Sequence, residues 1–288
     1  LIGGTQTNFT VIAAALRPHQ CVLCADTGHI NVHESGAVEA CGHKVSAIPS
    51  PDGKLTARQI EEAWHAHWDD ETREHMPQPR MVYISQPTEL GTIYSRKELQ
   101  EISGVCRRRG LYLYMDGARL GYGLCDEDND LDLPAIASLC DAFYIGGTKV
   151  GALFGEALVL RHEALKEDFR YIAKQKGGRL AKGRLLGIQF LELFRDGLYF
   201  RLGAHADRLA VMLRDFCRSR GLSLPFSSGT NQQFVTMPDS VLEELGRKYG
   251  FAYLRREDET HSTVRFCMSW ATREEDVREL MADIARLC

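Results

Sequence analysis

Gly110-Leu-Tyr-Leu-Tyr-Met-Asp-Gly-Ala-Arg-Leu-Gly121 and, further along, Asp141-Ala-Phe-Tyr-Ile-Gly-Gly-Thr-Lys149 decide how the rest of this chain is read. Each begins as a short apolar run with the length of a strand. One stops at Asp116 and the other at Lys149. Between them lie an acidic loop from Glu127 and an apolar segment, Leu133 to Leu139, that serves as a crossover. Strand, crossover, strand predicts two parallel strands in one sheet. Open parallel sheets bind their ligands outside the carboxyl ends of the strands. Asp116 and Lys149 are therefore expected on one rim, approaching one ligand from two sides.

An acid and a lysine so placed suit pyridoxal phosphate, which needs a lysine for its imine and a carboxylate facing its pyridinium nitrogen. The blander reading is that Asp116 caps a turn and that Lys149 is solvated. Flanking residues favour the first. Met115-Asp-Gly-Ala-Arg119, Gln86-Pro-Thr-Glu-Leu-Gly-Thr-Ile-Tyr94 and Gly146-Gly-Thr-Lys-Val-Gly-Ala-Leu-Phe-Gly155 together resemble the threonine aldolase and beta-eliminating lyase family. That family belongs to the aspartate-aminotransferase-like, fold-type-I pyridoxal phosphate enzymes. The resemblance runs in order over nearly the whole chain and is most specific from Gly3 to about Arg184.

The resemblance implies an α/β fold of type I. Its large cofactor-binding domain, residues 1–186, would hold a mostly parallel sheet flanked by helices. A small α+β domain would follow over 187–288, where strands and helices alternate from near Gly187. Lys149 would carry the cofactor, Asp116 would face the ring nitrogen, and Arg119 would lie toward the ring oxygen or the substrate. His29, in Thr27-Gly-His-Ile-Asn-Val-His-Glu34, would stack on the ring, with His33 and Glu34 near the site; a lone loop histidine is the plain alternative. Lys182 or Arg184 would help hold the phosphate, partly across a subunit boundary, unless both belong to a solvated charged face. Arg265, an odd charge inside the strand Thr263 to Trp270, would fork onto the substrate's carboxylate or else form a structural ion pair. Thr148 stands where many decarboxylases of this fold carry histidine, which argues against decarboxylation.

Elementary physics adds a phosphate seat at the start of the chain. Leu1-Ile-Gly-Gly-Thr-Gln-Thr-Asn8 is a strand end and Gly-rich turn before a helix from Asn8 to Leu16. Gly4 lets the backbone come close, the helix start supplies free N–H groups, and Thr5 adds a hydroxyl. An ordinary helix cap by Thr5 is the alternative. A similar turn in the family follows a further N-terminal segment, so one is expected to be missing here.

The implied reaction is cleavage of the Cα–Cβ bond of a threonine-type β-hydroxy-α-amino acid, giving glycine and an aldehyde. One departure bears on it. The family's aldolases usually carry a Glu-Asn-Thr-His-like segment whose histidine handles the β-hydroxyl proton, and this chain has Pro87-Thr88-Glu89 with no histidine. Thr88 with water, or His29, His33 or Glu34, takes that role, or the reaction differs. Beta-elimination on another amino acid is the near alternative. A catalytically silent fold member acting as a binding or oligomer subunit is the alternative of another class. The resemblance also implies a homodimer or homotetramer with shared active sites and an amino-acid substrate.

Composition sets the outer bounds. The 288 residues are 44% hydrophobic and 26% charged, an ordinary globular balance with room for one large domain and a smaller one. A net charge of −4 with mixed signs points to neither nucleic acid nor an anionic membrane. No apolar run reaches the roughly 18 residues of a membrane span, which points to the cytoplasm. Nine cysteines without a framework fit reduced, mostly buried thiols, and Cys21-Val-Leu-Cys24 lies in a strand where the two point to opposite faces. His65 and His67, two apart on a helix, make no metal clamp. Helices are expected over 35–43, 56–67, 95–109, 161–178, 185–220, 241–248 and 276–287, with strands at 21–26, 45–48, 81–85, 156–160, 234–237 and 252–254.

Overall fold

The computed structural model describes residues 1–288. Its main sheet has six strands: β1 (Gln20–Ala25), β2 (Lys44–Ile48), β3 (Gln78–Ser85), β4 (Tyr112–Asp116), β5 (Ala142–Gly146) and β6 (Glu156–Leu160). They lie in the order β2-β1-β3-β4-β5-β6. All neighbours pair in parallel except β5 and β6, which are antiparallel. β1 is buried along its whole length, as expected of a central strand covered on both faces. Cys24 is part of the apolar cluster beneath it, so this thiol acts as a small hydrophobe.

Helices cover both faces: α1 (Gly4–Ala15), α2 (His29–Val32), α3 (Ala57–Trp68), α4 (Arg96–Arg109), α5 (Leu120–Gly123), α6 (Leu133–Leu139) and α7 (Phe169–Gln175). α3 and α4 start where the sequence says they should. Thr56 with Gln59, and Ser95 with Glu98, each close a reciprocal capping box. α6 is the predicted crossover, capped by Asp132.

Beyond the sheet, α8 (Arg184–Phe194) and α9 (Leu198–Ser219) lead to a three-stranded antiparallel sheet. It comprises β7 (Gln232–Pro238), β8 (Ala252–Arg256) and β9 (His261–Cys267), in the order β7-β9-β8. α10 (Asp239–Gly246) and α11 (Glu274–Leu287) complete it. α9 and this sheet share one apolar cluster, which also takes in Tyr122 and Val150 from the main-sheet side.

Three predicted helices are shorter or broken. Over 161–178, the His162 side chain accepts from the Ala164 N–H and opens a single 3-10 turn, Glu163–Leu165; the α-helix proper is only α7. Over 185–220, Asp196 and Gly197 both adopt left-handed backbone and split the run into α8 and α9. Over 35–43, Ser35 and Gly36 are left-handed, and only a 3-10 turn at Glu39–Cys41 forms before Gly42 ends it. At the start of the chain the helix begins at Gly4, four residues earlier than expected. No helix is long and apolar enough to cross a membrane.

Candidate active site

The carboxyl ends of β3, β4 and β5 meet on one rim. β3 and β4 are in register with Ser85 opposite Asp116, and Tyr83 opposite Tyr114. Side chains two apart on a strand share a face, so Tyr83, Tyr114 and Asp116 point the same way. The turn after Asp116 closes tightly on β5: a Cβ at Gly117 would fall 1.8 Å from the Tyr144 carbonyl oxygen. Glycine is required there, and its absence of a side chain brings Tyr144 against Asp116.

Asp116 is 4% exposed and fully partnered. Tyr144 and Tyr83 donate their hydroxyls at 2.5 and 2.6 Å, one to each carboxylate oxygen. Asn8 Nδ2 donates at 2.9 Å and the Ala118 N–H at 2.9 Å. Burial alone would raise its pKa, but these four donors more than offset it and hold the group below the ordinary carboxylate value. A buried, charged acid is thus built into the rim.

Asn8 carries the network onward. Its Nδ2 also donates to Glu34 Oε1 at 2.7 Å, and its Oδ1 accepts the Tyr114 hydroxyl at 2.8 Å. The same Glu34 oxygen lies 2.8 Å from His29 Nδ1. His29 opens α2, and its backbone N–H donates to Glu89 Oε1 at 2.8 Å, which also accepts the Ser85 hydroxyl at 2.7 Å. Burial, and then the charge on Asp116, push Glu89 above its ordinary value.

Lys149 sits in the loop that turns from β5 back to β6. Tyr122 donates its hydroxyl to the Lys149 carbonyl, and Thr148 Oγ1 accepts the Gly155 N–H at 3.0 Å, so the loop is held at both ends. The ammonium is lowered to about 8, by burial first and Arg119 second, with Asp116 and Glu156 pulling the other way. Glu156, at the start of β6, accepts the Gly147 N–H at 3.1 Å and is pushed by burial to about 7. Arg119 is half-buried beside this group and makes no side-chain hydrogen bond.

Arg265 enters from the small sheet. On β9 it donates from Nη1 to Gln232 Oε1 at 3.1 Å, while its buried Nε has no partner. Gln232 Nε2 in turn donates to the Thr88 carbonyl at 3.3 Å, tying the arginine to the loop after β3. An orphaned, buried guanidinium N–H suits an anionic ligand.

The phosphate seat is present in outline. α1 begins at Gly4 with Gly3 as its cap residue and no capping side chain, so its first N–H groups stay open. Thr5 is therefore not the cap. Gly4 passes close to Tyr144, where a Cβ would be 3.0 Å from the hydroxyl. An uncapped helix start, a depressed lysine and a donor-satisfied acid together fit pyridoxal phosphate.

Three candidates are not brought to this cluster. Lys182 and Arg184 are exposed on the segment that starts α8 and make no hydrogen bond or ion pair. Thr88 is 1% exposed, and its hydroxyl is spent inside the loop, 2.7 Å from Thr92 Oγ1 and within reach of the Leu90 and Thr92 N–H groups. It offers a backbone carbonyl, not a hydroxyl, to the site. Asn8, the three tyrosines, Glu89 and Glu156 were not foreseen as site residues. The alternation Leu-Tyr-Leu-Tyr before Asp116 was the available signal for Tyr114.

A family model described as "Beta-eliminating lyase" matches residues 1–240. The chain belongs to the beta-eliminating lyase family. It is 35% identical over 288 residues to a low specificity L-threonine aldolase of a Pseudomonas species, covering 98% of this chain and 80% of that protein. It is 34% identical over 285 residues to another from Pseudomonas aeruginosa, with coverage of 98% and 80%. The solved threonine aldolase of Leishmania major superposes with a TM-score of 0.96 at 44% identity, covering 99% of this chain and 82% of that one. An aspartate aminotransferase of Thermus thermophilus, 16% identical at a TM-score of 0.70, shares the fold. The architecture is fold type I.

Proposed function

We propose that this protein is a pyridoxal phosphate-dependent lyase that cleaves a threonine-type β-hydroxy-α-amino acid into glycine and an aldehyde. The observation that carries the reading is the convergence at one rim of a lysine with a lowered pKa, Lys149, a donor-satisfied carboxylate, Asp116, and an arginine with an unpaired buried N–H, Arg265. Bound pyridoxal phosphate supplies an electron sink for the pair released at the α-carbon. Lys149 holds the cofactor covalently, and its lowered pKa puts a useful share of it in the neutral, nucleophilic form near pH 8. Asp116 keeps the ring nitrogen protonated, and its four donors keep Asp116 charged. His29, braced by Glu34, would lie against the ring, while Gly4, Thr5 and Thr148 would hold the phosphate. Arg265 would take the α-carboxylate with its unpaired Nε, and Arg119 would serve the ring oxygen.

Exposed apolar residues support a homo-oligomer, a dimer or tetramer. Leu153, in the Lys149 loop, is 87% exposed, and Leu185, Ile188 and Leu191 of α8 lie open near it. Lys182 and Arg184, idle within one chain, would then serve the neighbouring site. The division into domains at residues 186 and 187 falls inside α8, close to this surface.

The test is the near-visible absorbance of protein loaded with pyridoxal phosphate. A band present in the native chain and absent in Lys149→Ala, with L-threonine turned into glycine and acetaldehyde, supports the reading. Ammonia and a keto acid as products would favour beta-elimination. No band in a folded protein would overturn both.

A further inference from the structure

With Thr88 turned into its own loop, no side chain has yet been given the proton of the substrate's β-hydroxyl. Three other candidates stand near the rim. Glu34 is buried, with one oxygen shared between Asn8 and His29. His29 has Nδ1 committed to Glu34, which fixes the plane of its ring. His33 is different. It is the residue that closes α2, one turn beyond His29, and the two ring centroids are 5.5 Å apart with a tilt of 54°. It is exposed, and neither of its ring nitrogens has a partner in the chain.

The charged groups within electrostatic reach of His33 place it at the same rim. They are His29 on α2, Arg265 on β9, Arg119 after β4 and Lys149 after β5. These are the groups assigned above to the ring, the carboxylate and the covalent link, so His33, 5.5 Å from the His29 ring, stands within electrostatic reach of the space the substrate would occupy. Partial burial first, and then His29, Arg265, Arg119 and Lys149 in that order, lower its pKa and favour the neutral ring with a free lone pair. A neutral imidazole among cations is a proton acceptor held beside the groups that bind an anionic substrate.

We infer that His33 is the catalytic residue that accepts the β-hydroxyl proton. This rests on the retro-aldol reading above. In the step, the O–H proton passes to an imidazole nitrogen of His33 and the O–H electron pair becomes the new carbonyl bond. The Cα–Cβ pair stays with the α-carbon, which later takes up a proton and leaves as glycine; the aldehyde departs. No oxidant or second substrate is needed.

The experiment uses the holoenzyme, native and His33→Gln, in two reactions. Loss of deuterium from [2,2-²H]glycine into water needs the cofactor, Lys149 and Arg265 but no hydroxyl base. Cleavage of L-threonine needs all of them and the base. The expected result is a fall of about 10²- to 10⁴-fold in kcat for cleavage. KM and the glycine exchange should change by no more than about threefold, and the acidic limb of the cleavage pH profile should disappear. Cleavage within about threefold of native would overturn the assignment and direct attention to Glu89→Gln. An equal fall in both reactions would also overturn it, since His33 would then be supporting the site as a whole. If the native holoenzyme shows neither a near-visible band nor exchange, the cofactor reading itself fails.

Discussion

Asp116 and Asp207 are each 4% exposed, yet their carboxyl groups behave in opposite ways. Asp116, at the end of β4, is held below its ordinary pKa. Asp207, midway along α9, is driven up to about 9 by burial and by the nearby Asp126. The difference lies in their donors. Asp116 receives two phenols, an amide and a backbone N–H, whereas no donor meets either oxygen of Asp207 with full hydrogen-bond geometry and only the nearby Asn231 N–H opposes the rise. The same depth of burial therefore favours the charged carboxylate in one place and the neutral acid in the other. What the main sheet contributes at the rim is not a dry pocket but a prearranged set of N–H and O–H groups.

Removing the charge at the rim is the sharpest way to break this comparison. In Asp116→Asn the two tyrosines lose an ionic acceptor and, on the proposed function, the cofactor ring would lose its counter-charge. Activity should fall about 10²- to 10³-fold, the scale seen when one preorganised electrostatic group is deleted. Stability should fall as well, by about 3 kcal/mol, because buried hydrogen bonds to charged groups are the strong ones. The pH dependence has a definite sign. A carboxyl depressed in the folded state stabilises it above the ordinary carboxylate range, and that contribution is lost as pH falls through the folded value. Urea titrations between pH 7 and pH 3 should show a steep acid-side decline in the native chain and a shallower one in Asp116→Asn. Parallel declines would mean that the donors do not hold the charge.

Asn8 tests the same contrast one step out, since it is the group that makes two buried acids compatible. Its amide sits between Glu34 and Asp116, and its oxygen accepts from Tyr114. Asn8→Ala should cost about 2 kcal/mol in urea unfolding, from partners left unsatisfied. It should also cut activity about tenfold, because Asp116 and the His29 brace both loosen. Asn8→Asp should be worse than alanine at pH 7, adding a third acid to the pair. If aspartate were tolerated better than alanine, the electrostatic account of this network would be wrong.

Much of this was legible in the chain. Met115-Asp116 and Thr148-Lys149 are local signals, each set by a strand that ends where its apolar run ends, and the fold followed from them. The capping boxes at Thr56 and Ser95 are likewise written in four adjacent residues. The donor set was not legible, because it depends on register between separate strands. Nothing near Tyr83 or Tyr144 states that β3, β4 and β5 align to aim three phenols at Asp116 and Asn8. Thr88 misled for a similar reason: its composition suited a site, but Thr92, four residues on, claimed its hydroxyl. The long helices expected over 161–178 and 185–220 failed where a histidine cap and a left-handed Asp-Gly pair overrode helical periodicity.

Asp207 offers the smallest expected effect and the cleanest opposite sign. An acid whose folded pKa is raised binds its proton more tightly in the folded than in the unfolded chain. Its contribution to stability is therefore greatest at low pH and declines as pH rises from the ordinary carboxylate range toward about 9. Asp207→Asn removes the titration while keeping the shape. At pH 8 it should stabilise the protein by about 1–3 kcal/mol, the range for relieving an unsatisfied buried group, and the gain should shrink toward zero at pH 5. Such a gain is worth a few degrees in Tm for a chain of this size, within reach of calorimetry at the two pH values. Activity per folded molecule should change little, since asparagine keeps the shape of α9, which supports the rim through the Tyr199 hydroxyl on the Gly146 carbonyl. A variant less stable than the native chain at pH 8 would show that Asp207 is charged and partnered after all. The contrast with Asp116 would then rest on something other than donors.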